Sequence, residues 1–513
     1  MKKIALLGGV LVSLALASCG GGGESTTSNG GTSGGGDSSY TGEKIVIRVD
    51  GGGDVGNFNT TASMTQSPLN PYPYNTLEKL IEEWEADHPK FDVQLLSTSS
   101  NGDRQVLVPQ LENKTAPEIT YQSGTVINSD LGKNYYVNMT SYLEKPNPYV
   151  EGNQHWKDIY NEAELATTMA SDGDIYSINL ERIPVGLMVN KTLLEKHGIT
   201  ENPTTYKDFV GNIKKLNSEL PTTQEAYATT YMWYFIALET NMFSDLLAEG
   251  DVLRSNGKID TEEISRLFTK GMWDPTINTS GDNPTFLNNK YYEYIKLCAD
   301  LGKEKAPQSF DAVQNFIGGN LAFLEVTGLQ IRNIVAQDAR MNFDWEIIPF
   351  PDLTTDTYQD IGSPVVRGSA GLATSWFITN SAIAKGQETV DACADLLMFL
   401  TAPEQNNRMI GDLKGGMPLN PSDDFELAPH LQGLNDVYWQ DIEKLESGER
   451  VNWAAFCSWE VLGYNFNTTF IRNMEDVQWG GKTPETCTVT LANAIKNTIN
   501  TYLYTEGWDT SAW

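Results

Sequence analysis

The chain has 513 residues and few of the groups that nucleophilic or metal chemistry requires. Its four histidines, His88, His155, His197 and His430, are scattered, and no H-E-x-x-H pair occurs. Cys298, Cys393, Cys457 and Cys487 form no C-x-x-C pair. No clustered Cys/His ligand set is available, so no metal site and no cofactor is expected, and a histidine-based triad has little to work with. Cys298 and Cys393 sit among apolar residues, as buried thiols do, while a Cys457–Cys487 bridge stays open for a chain outside the cytoplasm. Gly31-Thr-Ser-Gly-Gly35 matches a nucleophile-elbow pattern, but no strand precedes it and no helix follows. Asp172-Gly-Asp174 opens like a calcium loop yet lacks the further oxygen ligands and terminal Glu, so it is expected to be a hairpin turn.

One cysteine stands in a chemical context. Lys2 and Lys3 precede an apolar run, Ile4 to Leu16, too short for a stable membrane span, and Leu16-Ala17-Ser18-Cys19 resembles a bacterial lipobox. Residues 1–18 are then a signal peptide and Cys19 the lipidated first residue of the mature chain. Of residues 20–42, 19 of 23 are Gly, Ser or Thr, so 19–43 reads as a flexible tether with a reach of roughly 25–30 Å.

The remaining composition is globular: 40% hydrophobic, 20% charged, with 67 acidic and 36 basic residues. At roughly 100–200 residues per domain, this length asks for two or three compact units. Without residues 1–18 the chain has 34 basic and 67 acidic residues, a net −33. That charge repels phosphate backbones and anionic lipid headgroups, so no nucleic acid is expected as a partner, and membrane contact is expected only through the anchor.

The elements follow from periodicity. Lys44 to Asp50 alternates as a strand; Leu77, Leu80, Ile81 and Trp84 recur at helical spacing behind a capping-box arrangement at Asn75; Phe91 to Leu96 is a second strand. Strand, helix, strand implies a parallel α/β layer. Glu82, Glu83, Glu85 and Asp87 fall on the solvated side of that helix. Thr192 to His197 reads as a short helix stopped by Gly198. Thr205-x-x-Asp208 caps another with Tyr206, Phe209, Ile213 and Leu216 on one face, and Val390, Ala394 and Leu397 stripe a third.

The order of segments then becomes recognisable. It comprises the opening strand and helix; Leu111-Glu-Asn-Lys-Thr-Ala-Pro-Glu-Ile-Thr-Tyr121, with Glu118 in the place of a family Asp; Asp172-Gly-Asp-Ile-Tyr176 through Val189-Asn-Lys191; Gly198 with Pro203-Thr-Thr-Tyr-Lys-Asp208; Phe316 to Gly328; and Ile348-Pro-Phe-Pro351. The chain resembles the family 1 extracellular solute-binding proteins of ABC importers, the group that includes maltose-binding protein. The resemblance implies an α/β, two-lobed, type II periplasmic-binding fold, each lobe a sheet flanked by helices. Three hinge crossings are expected, near Ile178–Glu181, Gly371–Thr374 and Gly416–Leu419. Lobe 1 would hold 44–180 and 372–416, lobe 2 would hold 181–371 and 417–513, and hinge motion would close a ligand between them.

The resemblance also directs attention to a sugar. Pyranose C–H faces pack on aromatic planes and hydroxyls need planar donors and acceptors. Among the 12 Trp and 22 Tyr, the aromatic candidates are Trp376, taken to start the strand leaving a hinge, Trp459, and the Tyr231/Trp233 segment. Trp84 and Trp345 read as packing. Polar candidates at strand ends are Asp54, Asn57, Tyr121, Gln122, Glu181, Arg182 and Glu325. Leu329-Gln330 replaces a Trp that the family often has after the glycine at 328. Arg182 and Arg367 also have the charge and shape for a uronate carboxylate. The expected function is a lipid-anchored, monomeric, non-catalytic receptor that hands a carbohydrate, an oligosaccharide by its generous length, to a membrane permease. An extracytoplasmic polysaccharide-degrading enzyme, or the same fold with a non-sugar solute, is the alternative.

Overall fold

The strand that opens the fold, β1 (Ile45–Asp50), buries Ile47 and Val49 completely. The structure, a computed structural model, describes residues 40–52, 65, 73–96, 100, 102–229, 233–249, 261–267, 288–307, 309–359, 361, 367–422, 424–447 and 464–512. Cys19, Asp54, Asn57, Tyr231, Cys457 and Trp459 lie outside them.

Helix α1 (Thr76–Asp87) buries Leu77, Leu80, Ile81 and Trp84, as the spacing requires. The capping box at Asn75 does not form: with φ −146° and ψ 16°, Asn75 makes no side-chain cap hydrogen bond. Of the acidic residues on the opposite face, Glu85 accepts from the Val93 backbone N–H at 2.6 Å and Glu83 pairs with Arg408 at 2.7 Å. After β2 (Phe91–Leu95), α2 (Arg104–Glu112) is capped by Asp103, and β3 (Ile119–Tyr121) follows. Strands β1, β2 and β3 are parallel neighbours, with Ile45 opposite Phe91 and Val49 opposite Ile119. The Asp172–Asp174 turn exists, with Gly173 at φ 88° and the Asp174 N–H bonded to Asp172 Oδ1, but it is not a hairpin. The chain enters it from α3 (Glu162–Ala166), so no strand is present on that side to pair.

The 13-residue strand β4 (Ile178–Asn190) organises the rest. Its first half pairs antiparallel with β8 (Ser369–Ile378), Ile178 facing Trp376; its second half pairs antiparallel with β6 (Leu321–Thr327) and β7 (Trp345–Ile348). The exchange of partners coincides with a register shift between Arg182 and Pro184, where proline removes a ladder donor. Strand β5 (Glu225–Thr229) completes the order β2-β1-β3-β8-β4-β6-β5. Trp376 lies in the last three residues of β8, not at its start, because β8 already begins at Ser369.

Helices flank this sheet: α4 (Lys191–Lys196), α5 (Tyr206–Glu219), α6 (Trp233–Glu249), α7 (Asn288–Lys303), α8 (Gly328–Val335), α9 (Gln387–Thr401), α10 (Pro403–Leu413), α11 (Gln432–Glu446), α12 (Tyr464–Gln478) and α13 (Pro484–Glu506). Thr205 Oγ1 accepts from the Asp208 N–H, and Tyr206, Phe209, Ile213 and Leu216 are buried. Residues Gly42–Trp513 form one compact unit, within which buried apolar side chains gather in separate cores. One joins Ile47, Trp84, Leu180, Trp376, Leu397 and Leu419; a second joins Val185, Phe209, Phe323, Phe470 and Ile499; a third joins Met188, Phe316, Ile331 and Met417. Cys298, Cys393 and Cys487 are free buried thiols, Cys487 lying 3.7 Å from the Asn473 carbonyl, and the expected partner Cys457 lies outside the described residues.

Candidate ligand-binding site

Parallel strands present their carboxyl ends to one edge of a sheet, and open α/β sheets bind ligands there. At the end of β1, Asp50 is buried and its carboxylate accepts from Gly52 N (3.0 Å), Ser100 N (2.9 Å) and Ser100 Oγ (2.9 Å), which ties together the segments that follow β1 and β2. Tyr121 ends β3, half-buried, and pairs with Trp376 of β8, which pairs in turn with Ile178 of β4. The Tyr121 phenol is pushed up to about 12, first by burial and then by the negative charge of Glu181, so the two side chains share one environment. Gly102, at φ 71°, leaves them room: a Cβ there would lie 3.2 Å from the Tyr121 ring and 3.4 Å from Gln122 Oε1.

Gln122 is 2% exposed. Its backbone N–H donates to Ser375 O at 3.1 Å and its Oε1 accepts from Ser123 N at 3.1 Å, while its Nε2 has no hydrogen-bond partner among the described residues. A buried amide donor in that condition costs about 1–3 kcal/mol. Glu181, also fully buried, accepts the Thr374 hydroxyl at 2.6 Å. Thr374 is held at φ 51°, which a β-branched residue adopts only where the surroundings force it. Gly371, within β8, has φ 83°, and Gly368, immediately before β8, has φ 78°.

Arg182, next to Glu181, is turned into the protein. Its Nε and Nη2 donate to Glu164 Oε1 and Oε2, both at 2.5 Å, and its Nη1 donates to the Pro418 carbonyl. Its backbone pairs with Met417 through two hydrogen bonds of 2.9 and 3.0 Å. β4, β8 and the Met417 segment therefore lie side by side where the sequence places three crossings. Arg367 is likewise engaged, by Asp352 at 2.7 Å and Asp441 at 3.3 Å.

Glu325 and Trp233 belong together elsewhere. Glu325 faces Leu187, six residues along β4 from Glu181, roughly 20 Å at strand rise. Its carboxylate reaches the first turn of α6, accepting from Tyr227 OH (3.1 Å) and Tyr234 N (3.3 Å), as well as from Thr229 and the Trp233 backbone. Burial outweighs these bonds and raises its pKa to about 7. Trp233, half-buried, opens α6. Trp376 is fully buried in the first core, beneath Gly51, whose Cβ would lie 3.6 Å from its ring.

The structure thus sets Tyr121 and Gln122 around Gly102, with Glu181 close enough for its charge to act on the Tyr121 phenol, turns Arg182 into the frame, and bonds Glu325 to the Trp233 backbone. Sequence reading missed Asp50, Gly102 and Thr374. Only Asp50 carried a signal, a carboxylate closing an apolar strand. Among the described residues no group of three His, Cys, Asp or Glu could hold a metal ion, and no helix is long and apolar enough to cross a membrane.

A family model for bacterial extracellular solute-binding proteins matches residues 79–425. The chain belongs to that family. Among solved structures, this solute-binding chain is similar to RafE of Streptococcus pneumoniae in complex with raffinose, at 13% identity over 89% of this chain and 100% of that one, TM-score 0.58. It is similar also to the GacH receptor of Streptomyces glaucescens, described in complex with acarbose (13%, 89% and 98%, 0.55), and to Lmo0181 of Listeria monocytogenes in complex with cycloalternan (15%, 91% and 100%, 0.55). No curated protein matches it. The fold is accordingly the two-lobed type II form. The family and these neighbours are binding proteins, and the family is extracellular.

Proposed function

We propose that this chain is the substrate-binding lipoprotein of an ABC importer, anchored outside the cytoplasm through Cys19, and that it captures a neutral oligosaccharide between its lobes and delivers it to a permease. The grouping of Tyr121, Gln122 and Glu181 carries the reading. It offers an aromatic face for pyranose C–H bonds, an amide donor with no partner among the described residues, and a carboxylate acceptor for hydroxyls. Lobe 1 comprises 44–180 and 372–416 and lobe 2 comprises 181–371 and 417–513, which the separate apolar cores support. Trp233, with Tyr231 and Trp459, is a second aromatic candidate further along the cleft, and Asp54 and Asn57 are candidates in the segment after β1. The protein acts as a monomer and catalyses no reaction.

The raffinose, acarbose and cycloalternan complexes of its structural neighbours favour a sugar over other solutes. Mass spectrometry of small molecules released from the purified chain, with thermal shift across sugars, polyols and peptides, tests this. A neutral oligosaccharide that co-purifies and raises Tm supports it. A Tm that moves only with a polyol or peptide, or glycan cleavage without stable binding, rejects it.

A further inference from the structure

Two adjacent glycines, Gly415 and Gly416, occupy the third crossing, and each makes room for a specific neighbour. A Cβ on Gly416 would lie 2.3 Å from Glu181 Oε2. On Gly415 it would lie 2.3 Å from the Gly328 carbonyl oxygen and 2.8 Å from Arg332 Cβ. The first turns of α8 therefore rest directly on the crossing. From α8, Arg332 extends its guanidinium over the ring of Tyr74, 5.4 Å from the centroid, just before α1. Both are buried, Arg332 6% and Tyr74 1% exposed. Tyr74 packs in the core that contains Ile47 and Trp376, whereas Ile331 and Ile334 of α8 pack in the core that contains Met188 and Phe316. The contact joins two separately cored bodies.

We propose that Arg332 and Tyr74 form an interlobe clasp that holds the lobes in the arrangement seen here and so sets how long a ligand is retained, without touching the ligand. The proposal rests on the two-lobed reading above. It does not depend on which solute is bound. Arg332 and Tyr74 are positioning residues. A desolvated cation–π contact shifts a two-state equilibrium by on the order of tenfold, enough to move a lobe population visibly.

The test uses the ligand-free full chain as wild type, Arg332→Met, Tyr74→Leu and Tyr74→Phe, with small-angle X-ray scattering and amide hydrogen exchange. Arg332→Met and Tyr74→Leu are expected to enlarge the radius of gyration and to speed exchange about tenfold in both α1 and α8. Tyr74→Phe keeps the ring face and is expected to match wild type. Two variants from opposite lobes keep the test decisive if one fails to fold. Unchanged scattering in the folded variants, faster exchange on one side alone, or opening by Tyr74→Phe equal to that by Tyr74→Leu would each overturn the clasp. Opening of the variants in a chain that binds no sugar leaves the clasp standing and removes only the sugar.

Discussion

Arg182 and Glu164 form a doubly hydrogen-bonded ion pair, Nε to Oε1 and Nη2 to Oε2, each 2.5 Å, at positions 2% and 0% exposed. Tyr438 of α11 donates to the same Oε1, and the Trp439 ring centroid lies 4.7 Å from the guanidinium. With the Pro418 carbonyl on Nη1, the pair ties α3, β4, the Met417–Pro418 segment and α11 into one joint.

Breaking a buried pair leaves an uncompensated charge, so Arg182→Met is expected to cost about 3–5 kcal/mol, read as a lower urea midpoint. Adding Glu164→Leu should recover part of that loss, because the stranded carboxylate is then gone. A wild-type midpoint in Arg182→Met would show that the joint contributes nothing.

Glu325 makes stability depend on pH. Its carboxyl is raised from 4.5 to about 7, first by burial. Between those values the folded state keeps a proton that the unfolded chain has released, so the contribution is fully present below about 4.5 and lost as pH rises through about 7. Glu325→Gln keeps an acceptor for the first turn of α6 and removes the titration. Its stability relative to wild type, read from urea midpoints, should rise from pH 5 to pH 8, by about 3 kcal/mol at most. A difference independent of pH would assign the stability change to other groups.

Gln122→Leu should separate binding from folding. Removing an amide whose Nε2 has no partner among the described residues is expected to leave the ligand-free Tm unchanged or raised, while sugar affinity falls by roughly 3–10-fold. Equal affinity in the variant would remove Gln122 from the site.

Gly416→Ala drives a methyl to 2.3 Å from Glu181 Oε2. The crossing or the carboxylate must move, so a Tm drop is expected, with loss of affinity in any chain that folds. Unaltered Tm and affinity would show the crossing to be compliant.

Local patterns were legible in the sequence. The Leu77–Trp84 stripe and the Thr205 cap depend on neighbours within a few residues, and both appear as read. Asn75 had the right residue type, but its backbone dihedrals decide capping, and they are set by tertiary packing. Arg182 could be read as a strand-end polar candidate but not assigned a direction, because Glu164 and Tyr438, its partners, are brought to it only by the fold. A Trp in a strand reads equally as wall or core. Trp376 is core, since the sheet around it is covered on its side by α1 and α9 residues of the same apolar group. The glycines at 415 and 416 gave no sign of what they admit.

We propose reversible capture of a neutral oligosaccharide at Tyr121, Gln122 and Glu181. Titration calorimetry of the full chain against raffinose, malto-oligosaccharides and chitin oligosaccharides, repeated with Tyr121→Ala, tests it most directly. One site per chain is expected for a member of this chemical class, with sugar recovered intact and affinity at least tenfold lower in a folded Tyr121→Ala, about 1.4 kcal/mol. Cleaved sugar, or an affinity unmoved by Tyr121→Ala, would contradict it.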